Sequence, residues 1–255
     1  MDAEFYTSAD KALNSKAALS VMSASLSAII SRYHMIIIDY KKQHHKKIID
    51  AAVLALKNGK VVAYPTDTSY GLAVDAENIK AVKRLYQIKG RDFNKPVHMV
   101  VPSAAYAKKI TRWNKNAEKL AKKFWPGALT LVVELKVKSE KFKVLSANTG
   151  TMGLRMPKNQ IALDLAKVLK RSITATSSNL SGRADCYSAA DIIAQFIKQK
   201  YKPDIIINAG KLPKRKPSTL ARVFDDVVKI LREGPVSEKT ILKFLRNTKR
   251  TKYEN

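Results

Sequence analysis

Hydroxyl, amide and cationic side chains gather at the ends of the chain's apolar runs, where open α/β sheets place their ligands. Tyr64-Pro65-Thr66-Asp67-Thr68-Ser69-Tyr70-Gly71 packs hydroxyls, a carboxylate and a glycine into one turn-rich stretch. Lys89-Gly90-Arg91 sets two cations around a helix-ending glycine, and Thr176-Ser177-Ser178-Asn179-Leu180-Ser181-Gly182 follows an apolar run. Lys216-Pro217-Ser218-Thr219 and Arg232-Glu233-Gly234 flank the last pair of apolar runs. Read singly, each run is also an ordinary polar turn, and Lys89 with Arg91 also reads as charge placed at a helix C-terminus. The combination carries more weight than any member.

Other chemistries lose ground by their missing signatures. Neither G-x-x-x-x-G-K-[ST] nor G-x-G-x-x-G occurs, nor the G-x-S-x-G nucleophile elbow. The four histidines His34, His44, His45 and His98 do not show metal-ligand spacing, and the adjacent pair His44 and His45 would point about 100° apart on a helix. The one cysteine, Cys186, excludes an internal disulfide and a cysteine-built zinc site, and predicts a reducing, cytoplasmic setting. No run of apolar residues is long enough to span a membrane.

The 255 residues carry 48 Lys and Arg against 21 Asp and Glu, a net charge of +27. Asp2, Glu4 and Asp10 balance Lys11, Lys16 and Arg32 in residues 1–34, so the excess lies in the remainder. Such a field draws nucleotides, RNA or acidic membrane surfaces, although most individual lysines fit solvated helix faces.

Hydrophobic spacing supplies the elements that must hold these residues. Residues 1–34, rich in Ala and Ser, form an expected mobile extension in which Lys11 to Ile30 could make a weakly amphipathic helix. Strands are predicted at Met35–Asp39, Lys60–Tyr64, Val97–Val101, Leu129–Glu134, Met152–Met156, Ile173–Thr176 and Ile205–Asn208. Helices are predicted at Lys42–Asn58, Asn78–Lys89, Lys115–Phe124, Ile161–Leu169, Ala189–Gln199 and Ser237–Arg246. Ser188 with Asp191 reads as a capping box. Thr219–Phe224 and Val227–Leu231 form a hairpin around Asp225-Asp226. The alternation predicts one α/β domain over residues 35–246, a mixed parallel and antiparallel sheet flanked by helices, with a basic tail at 247–255.

Taken together, the runs resemble the YrdC family of threonylcarbamoyl-adenylate synthases. The matching residues are VVAYPTDTSYGLAVDA (61–76), YQIKGRD (86–92), WPGALTLVV (125–133), LRMP (154–157), TSSNLSG (176–182), KPSTL (216–220) and ILREG (230–234), in the family's order. The resemblance covers about Ile48 to Val236. It implies a twisted sheet with an open, basic cavity in which ATP, L-threonine and bicarbonate become threonylcarbamoyl-adenylate and pyrophosphate, for threonylcarbamoyladenosine formation in tRNA. Lys89 and Arg91 match the family's Lys-x-Arg pair and are the expected catalytic residues, neutralising phosphate oxygens. Ser177 and Asn179 match its Ser-x-Asn pair; Ser218, Arg232 and Arg155 are expected near the nucleotide, and Thr66, Thr68 and Tyr70 on the threonine. Magnesium is expected with the ATP, without a protein cage. A transferase acting on tRNA, and tRNA itself, are the implied partners.

The chain departs from the family in one strand. Longer relatives carry a histidine at the position of Val100, and here His98 stands two residues earlier on the same side. With only 255 residues and one cysteine, the chain is expected to be the synthase domain alone, without an appended C-terminal domain or the zinc modules of related carbamoyltransferases. A second reading, from the net charge and the basic end Lys243, Arg246, Lys249, Arg250 and Lys252, is a non-catalytic module binding double-stranded RNA or tRNA. The sparse aromatics, 7% of residues, argue against stacked single strands.

Overall fold

Five helix starts are written by a side-chain oxygen that accepts from the amide three residues on. Asn78, Ser103, Asn114, Asn159 and Ser188 do this for Ala81, Tyr106, Ala117, Ala162 and Asp191. A computed structural model of the chain describes residues 35–136, 140–225 and 227–250, so the expected extension over 1–34 and the last residues of the expected tail lie outside the described residues.

The helices are α1 (His45–Lys57), α2 (Ile79–Lys89), α3 (Ala104–Ile110), α4 (Lys115–Phe124), α5 (Glu140–Ser146), α6 (Gln160–Leu169), α7 (Ala189–Phe196) and α8 (Glu238–Arg250). The strands are β1 (Ile36–Asp39), β2 (Val62–Pro65), β3 (Tyr70–Ala73), β4 (His98–Val100), β5 (Leu129–Glu134), β6 (Thr151–Arg155), β7 (Ile173–Ser177), β8 (Ile205–Asn208), β9 (Thr219–Phe224) and β10 (Val227–Arg232). They form one ten-stranded sheet in the order β1-β8-β2-β3-β7-β4-β6-β5-β9-β10. Its pairings are mixed, for example β5 parallel to β9 and antiparallel to β6.

The outline follows the hydrophobic pattern, with instructive differences. Over Pro65–Gly71 the sequence predicts only a turn, but the chain closes an antiparallel hairpin and Tyr70–Ala73 becomes a buried strand. Gly71 is tolerated there because the Tyr64 ring lies over it; a Cβ on Gly71 would sit 3.0 Å from Tyr64 Cε1. Helices α3 and α5 are absent from the sequence reading, and α8 continues through Arg250, past the expected boundary at Arg246.

The two faces of the sheet have different covers. On one face α1 and α6 bring Ile48, Leu56, Ile161 and Leu165 onto Val62, Tyr64, Ile205 and Ile207. The other face buries Leu72, Met99, Leu129, Leu131, Leu154 and Ala221 beneath side chains such as Leu85, Leu120, Leu145 and Phe196. Side chains alternate between faces along a strand. Thr130 and Val132, between Leu129, Leu131 and Val133, therefore point to the first face, at the end that α1 and α6 do not cover. That uncovered half is the floor of a cavity.

Candidate active site

The floor is built from every second residue of five strands. β7 contributes Ala175 and Ser177, β4 contributes His98 and Val100, and β6 contributes Gly153 and Arg155. β5 adds Thr130 and Val132, and β9 adds Leu220 and Arg222. The β4–β7 register sets His98 opposite Ala175, and the β4–β6 register places Gly153 on its other side. The imidazole fills the space these small residues leave: a Cβ on Gly153 would lie 2.4 Å from His98 Cδ2. The cavity encloses about 670 Å³.

The walls come from the loops singled out in the sequence. Thr66 organises the first. Its hydroxyl donates to Ser69 O at 2.6 Å and accepts from the amides of Thr68 and Ser69. The expected turn chemistry and the expected site residue are thus the same hydroxyl. Asp67 turns away from the cavity lining into a buried ion pair with Arg155 Nη2 at 2.5 Å, and its second oxygen accepts from the Lys158 amide. Arg155 Nε is buried with no acceptor among the described residues. Tyr70 lines the cavity with its ring, its hydroxyl donating to Gly210 O and accepting from the Ala209 amide.

Past Gly90, whose left-handed φ of 57° ends α2, Arg91 holds the 91–96 segment by donating to Lys95 O and Pro96 O. On the far side, Ser218 Oγ meets Thr130 Oγ1 at 2.8 Å, and Arg232 donates Nε and Nη2 to Ser218 O. A register shift between Ile230 and Arg232 leaves Leu231 as the extra residue of β10. The bulge turns Arg232 inward. Gly234 is required beside it, because a Cβ there would stand 2.1 Å from Pro217 O.

Eight of the ten expected site residues line this one cavity: Thr66, Thr68, Tyr70, Arg91, Arg155, Ser177, Ser218 and Arg232. Lys89 and Asn179 lie behind the lining. For Lys89 this differs from the expected phosphate contact. Its Nζ donates to Ser177 O at 2.5 Å and Asn179 O at 2.7 Å, and it is only 2% exposed. Burial, with the Arg91 charge second, pulls its pKa down to about 7. Asn179 accepts from Ser177 Oγ and donates to Leu180 O and Arg183 O, closing the loop on itself.

Sequence reasoning passed over Thr130, Lys95, Arg222 and Asp185, all of which line the cavity. Among the described lining residues, Arg91, Lys95, Arg155, Arg222 and Arg232 stand against one carboxylate, Asp185. This field reaches His98. Burial first, then Arg232, Arg91 and Arg155, lower its pKa to about 4, so the ring is neutral at neutral pH. Five cations, a neutral imidazole and a rim of hydroxyls make a receptacle for a polyanion carrying a polar, hydrogen-bonding group. No group of three His, Cys, Asp or Glu among the described residues could hold a metal ion, and no described helix is long and apolar enough to cross a membrane.

Comparison with known proteins places this geometry. Residues 54–234 match the Sua5/YciO/YrdC family profile, whose description reads telomere recombination. A putative threonylcarbamoyl-AMP synthase of Methanocaldococcus jannaschii is 34% identical over 200 residues, 78% of this chain and 92% of that protein. The threonylcarbamoyl-AMP synthase of Pyrococcus abyssi is 35% identical over 204 residues, 78% of this chain and 57% of that protein. Among solved structures, P. abyssi Sua5 complexed with L-threonine matches with a TM-score of 0.75 and 33% identity, over 83% of this chain and 61% of that one. The chain therefore spans about three fifths of the length of the Pyrococcus protein.

Proposed function

Because the chain belongs to the Sua5/YciO/YrdC family, we propose that it is a nucleotidyltransferase making threonylcarbamoyl-adenylate and pyrophosphate from L-threonine, bicarbonate and ATP. The observation that carries this reading is the single cavity in which Arg91, Arg155 and Arg232 converge with the Ser177, Ser218 and Thr66–Thr68 hydroxyls. A relative of the same fold binds L-threonine, which supports an amino acid as one of the occupants.

The chemistry makes clear why the cations are needed. The free amine of threonine bonds to the carbon of bicarbonate, water leaves, and an N-carboxylate results. One of its oxygens then attacks the α-phosphorus and pyrophosphate departs. Two anions must approach, so catalysis is positioning plus charge stabilisation, with no covalent enzyme intermediate. Arg91, Arg155 and Arg232 oppose the phosphates, while Ser218 donates a hydrogen bond and Ser177, whose proton is given to Asn179 Oδ1, donates on turning away from it. Thr66 and Thr68 face the threonine and Tyr70 contributes its ring, since its hydroxyl is already engaged. Lys89 acts from behind on the Ser177 carbonyl, and Asn179 on the Ser177 hydroxyl. Magnesium carried by the ATP supplies further neutralisation of phosphate charge. The adenylate then passes to a transferase that modifies tRNA, and the basic surface offers that RNA a contact.

Pyrophosphate release from ATP and bicarbonate with varied amino acids tests the reading. Release should depend on threonine and fall about 100-fold or more in Arg91→Ala, the scale of losing one charge-stabilising donor. No release with any amino acid, alongside salt-sensitive tRNA binding, would leave the RNA-binding module in its place.

A further inference from the structure

Asp185 is the carboxylate that the cavity should not contain if binding anions were its whole task. It lines the same cavity as Arg91, Lys95, Arg155, Arg222 and Arg232, and its charge is felt by Lys89 and Arg232. Yet no hydrogen bond or ion pair engages its carboxylate among the described residues, and it is only half-buried. Its position is not slack, because both neighbours are fixed. Ala184 O accepts from Gln195 Nε2. Cys186 is held at both ends, its Sγ donating to Ser178 O at 3.0 Å and its carbonyl accepting from the Tyr70 amide at 2.9 Å. The backbone thus carries Asp185 to the cavity wall beside the loop of Ser177 and Asn179 and leaves its oxygens free.

A bare carboxylate next to phosphate oxygens repels them. It becomes favourable there only if a cation stands between. Magnesium is the ion suited to that place, since it keeps most of its waters and is met by one or two carboxylates in addition to substrate phosphates. A single carboxylate, with no three-ligand cluster among the described residues, could serve a cation that arrives with the nucleotide. Resting on the ATP reading above, we propose that Asp185 is the protein ligand of the divalent cation carried by the nucleotide's phosphates, the remaining positions being filled by phosphate oxygens and water.

The test separates metal from nucleotide. ATP is titrated into the protein by calorimetry without amino acid, once with saturating magnesium and once with EDTA, for wild type and Asp185→Asn. Wild type should favour the magnesium arm by about tenfold, an ordinary coupling between two ligands. Asp185→Asn should lose that preference while keeping or improving its affinity in the EDTA arm, since a negative charge has left a cationic site. With manganese as the probe, water-proton relaxation should count more fast-exchanging waters on the ATP-bound ion in Asp185→Asn than in wild type. Asp185→Ala is the second variant, and unchanged thermal unfolding in either shows that the segment is still docked. A magnesium preference that survives both substitutions overturns the assignment, as does an equal loss in both arms. In a separate titration with L-threonine, weakened amino-acid binding beside an unchanged magnesium preference also overturns it, making Asp185 the partner of the ammonium. ATP that binds in neither arm removes the nucleotide reading as well. Coupling that is intact without threonine-dependent pyrophosphate release leaves Asp185 standing and removes the reaction.

Discussion

Lys89 stands almost wholly out of water, with its ammonium shared between the carbonyls of Ser177 and Asn179. Removing it would strand two buried acceptors at the back of the loop that carries Ser177. Lys89→Met should therefore lower unfolding stability in urea by about 2–3 kcal/mol and abolish ATP binding in the same variant. Loss of binding without loss of stability would instead make Lys89 a direct phosphate ligand. The pH dependence has a definite sign. With its pKa at about 7 against an ordinary 10.5, the folded protein binds fewer protons than the unfolded chain between those values. Stability therefore rises with pH across that window and is flat below it, and the wild-type-minus-Lys89→Met difference, read in urea titrations, should climb from pH 7 towards pH 10. The hydroxyls and cations of the loops were legible in the sequence because they interrupt apolar runs. Thr130 was not, since its strand neighbours across both faces are Val and Leu and polarity does not mark which face opens on the cavity. Asp185 looks like any turn residue until Gln195, Ser178 and Tyr70 are seen to fix its neighbours.

Two glycines set how closely the elements approach, and they differ in what could relieve a substitution. Gly153→Ala drives a methyl into the His98 ring. The expected cost is about 1–3 kcal/mol of overpacking, and adding His98→Ser should recover most of it in a double-mutant cycle read by denaturant unfolding. Gly234→Ala meets the Pro217 carbonyl and the Ser218 backbone instead. No side-chain trimming relieves that contact, so the Ser218 segment must shift, and binding of ATP should fall more than stability does. Elements with a clear period were legible: α4, β5, β8 and β9 fall where the spacing predicts. β3 was not, because Tyr70–Ala73 is buried on both faces and has no alternation to read, and because Pro65 to Ser69 signals a turn just before it. Helix α5 was hidden by a lysine-rich surround whose charges mask the burial of Phe142 and Leu145.

Across the whole molecule, the cavity gathers residues from Tyr64 to Arg232, so a ligand there ties together most of the sheet. ATP at about 100 times its dissociation constant should stabilise the fold by about 2.7 kcal/mol, raising the melting temperature by roughly 5–10 °C at this size. Scanning fluorimetry checks this, and Arg91→Ala should flatten the response. An α/β sheet was legible in the alternation of strands and helices and its mixed character in the closing hairpin; the order of its strands was not, because it rests on pairings between distant parts of the chain. β1 pairs with β8 and β5 with β9. That order carries a consequence for how the protein comes into being. Pairings across long stretches of chain lose loop entropy before they gain contacts and are slow to form. The floor of the cavity is complete only when β9 has docked beside β5, after every other strand of the floor has been synthesised. The cavity is thus incomplete until the last strands arrive, and on the ATP reading the recovery of nucleotide binding during refolding should be a clock for the final assembly step, trailing the return of helix.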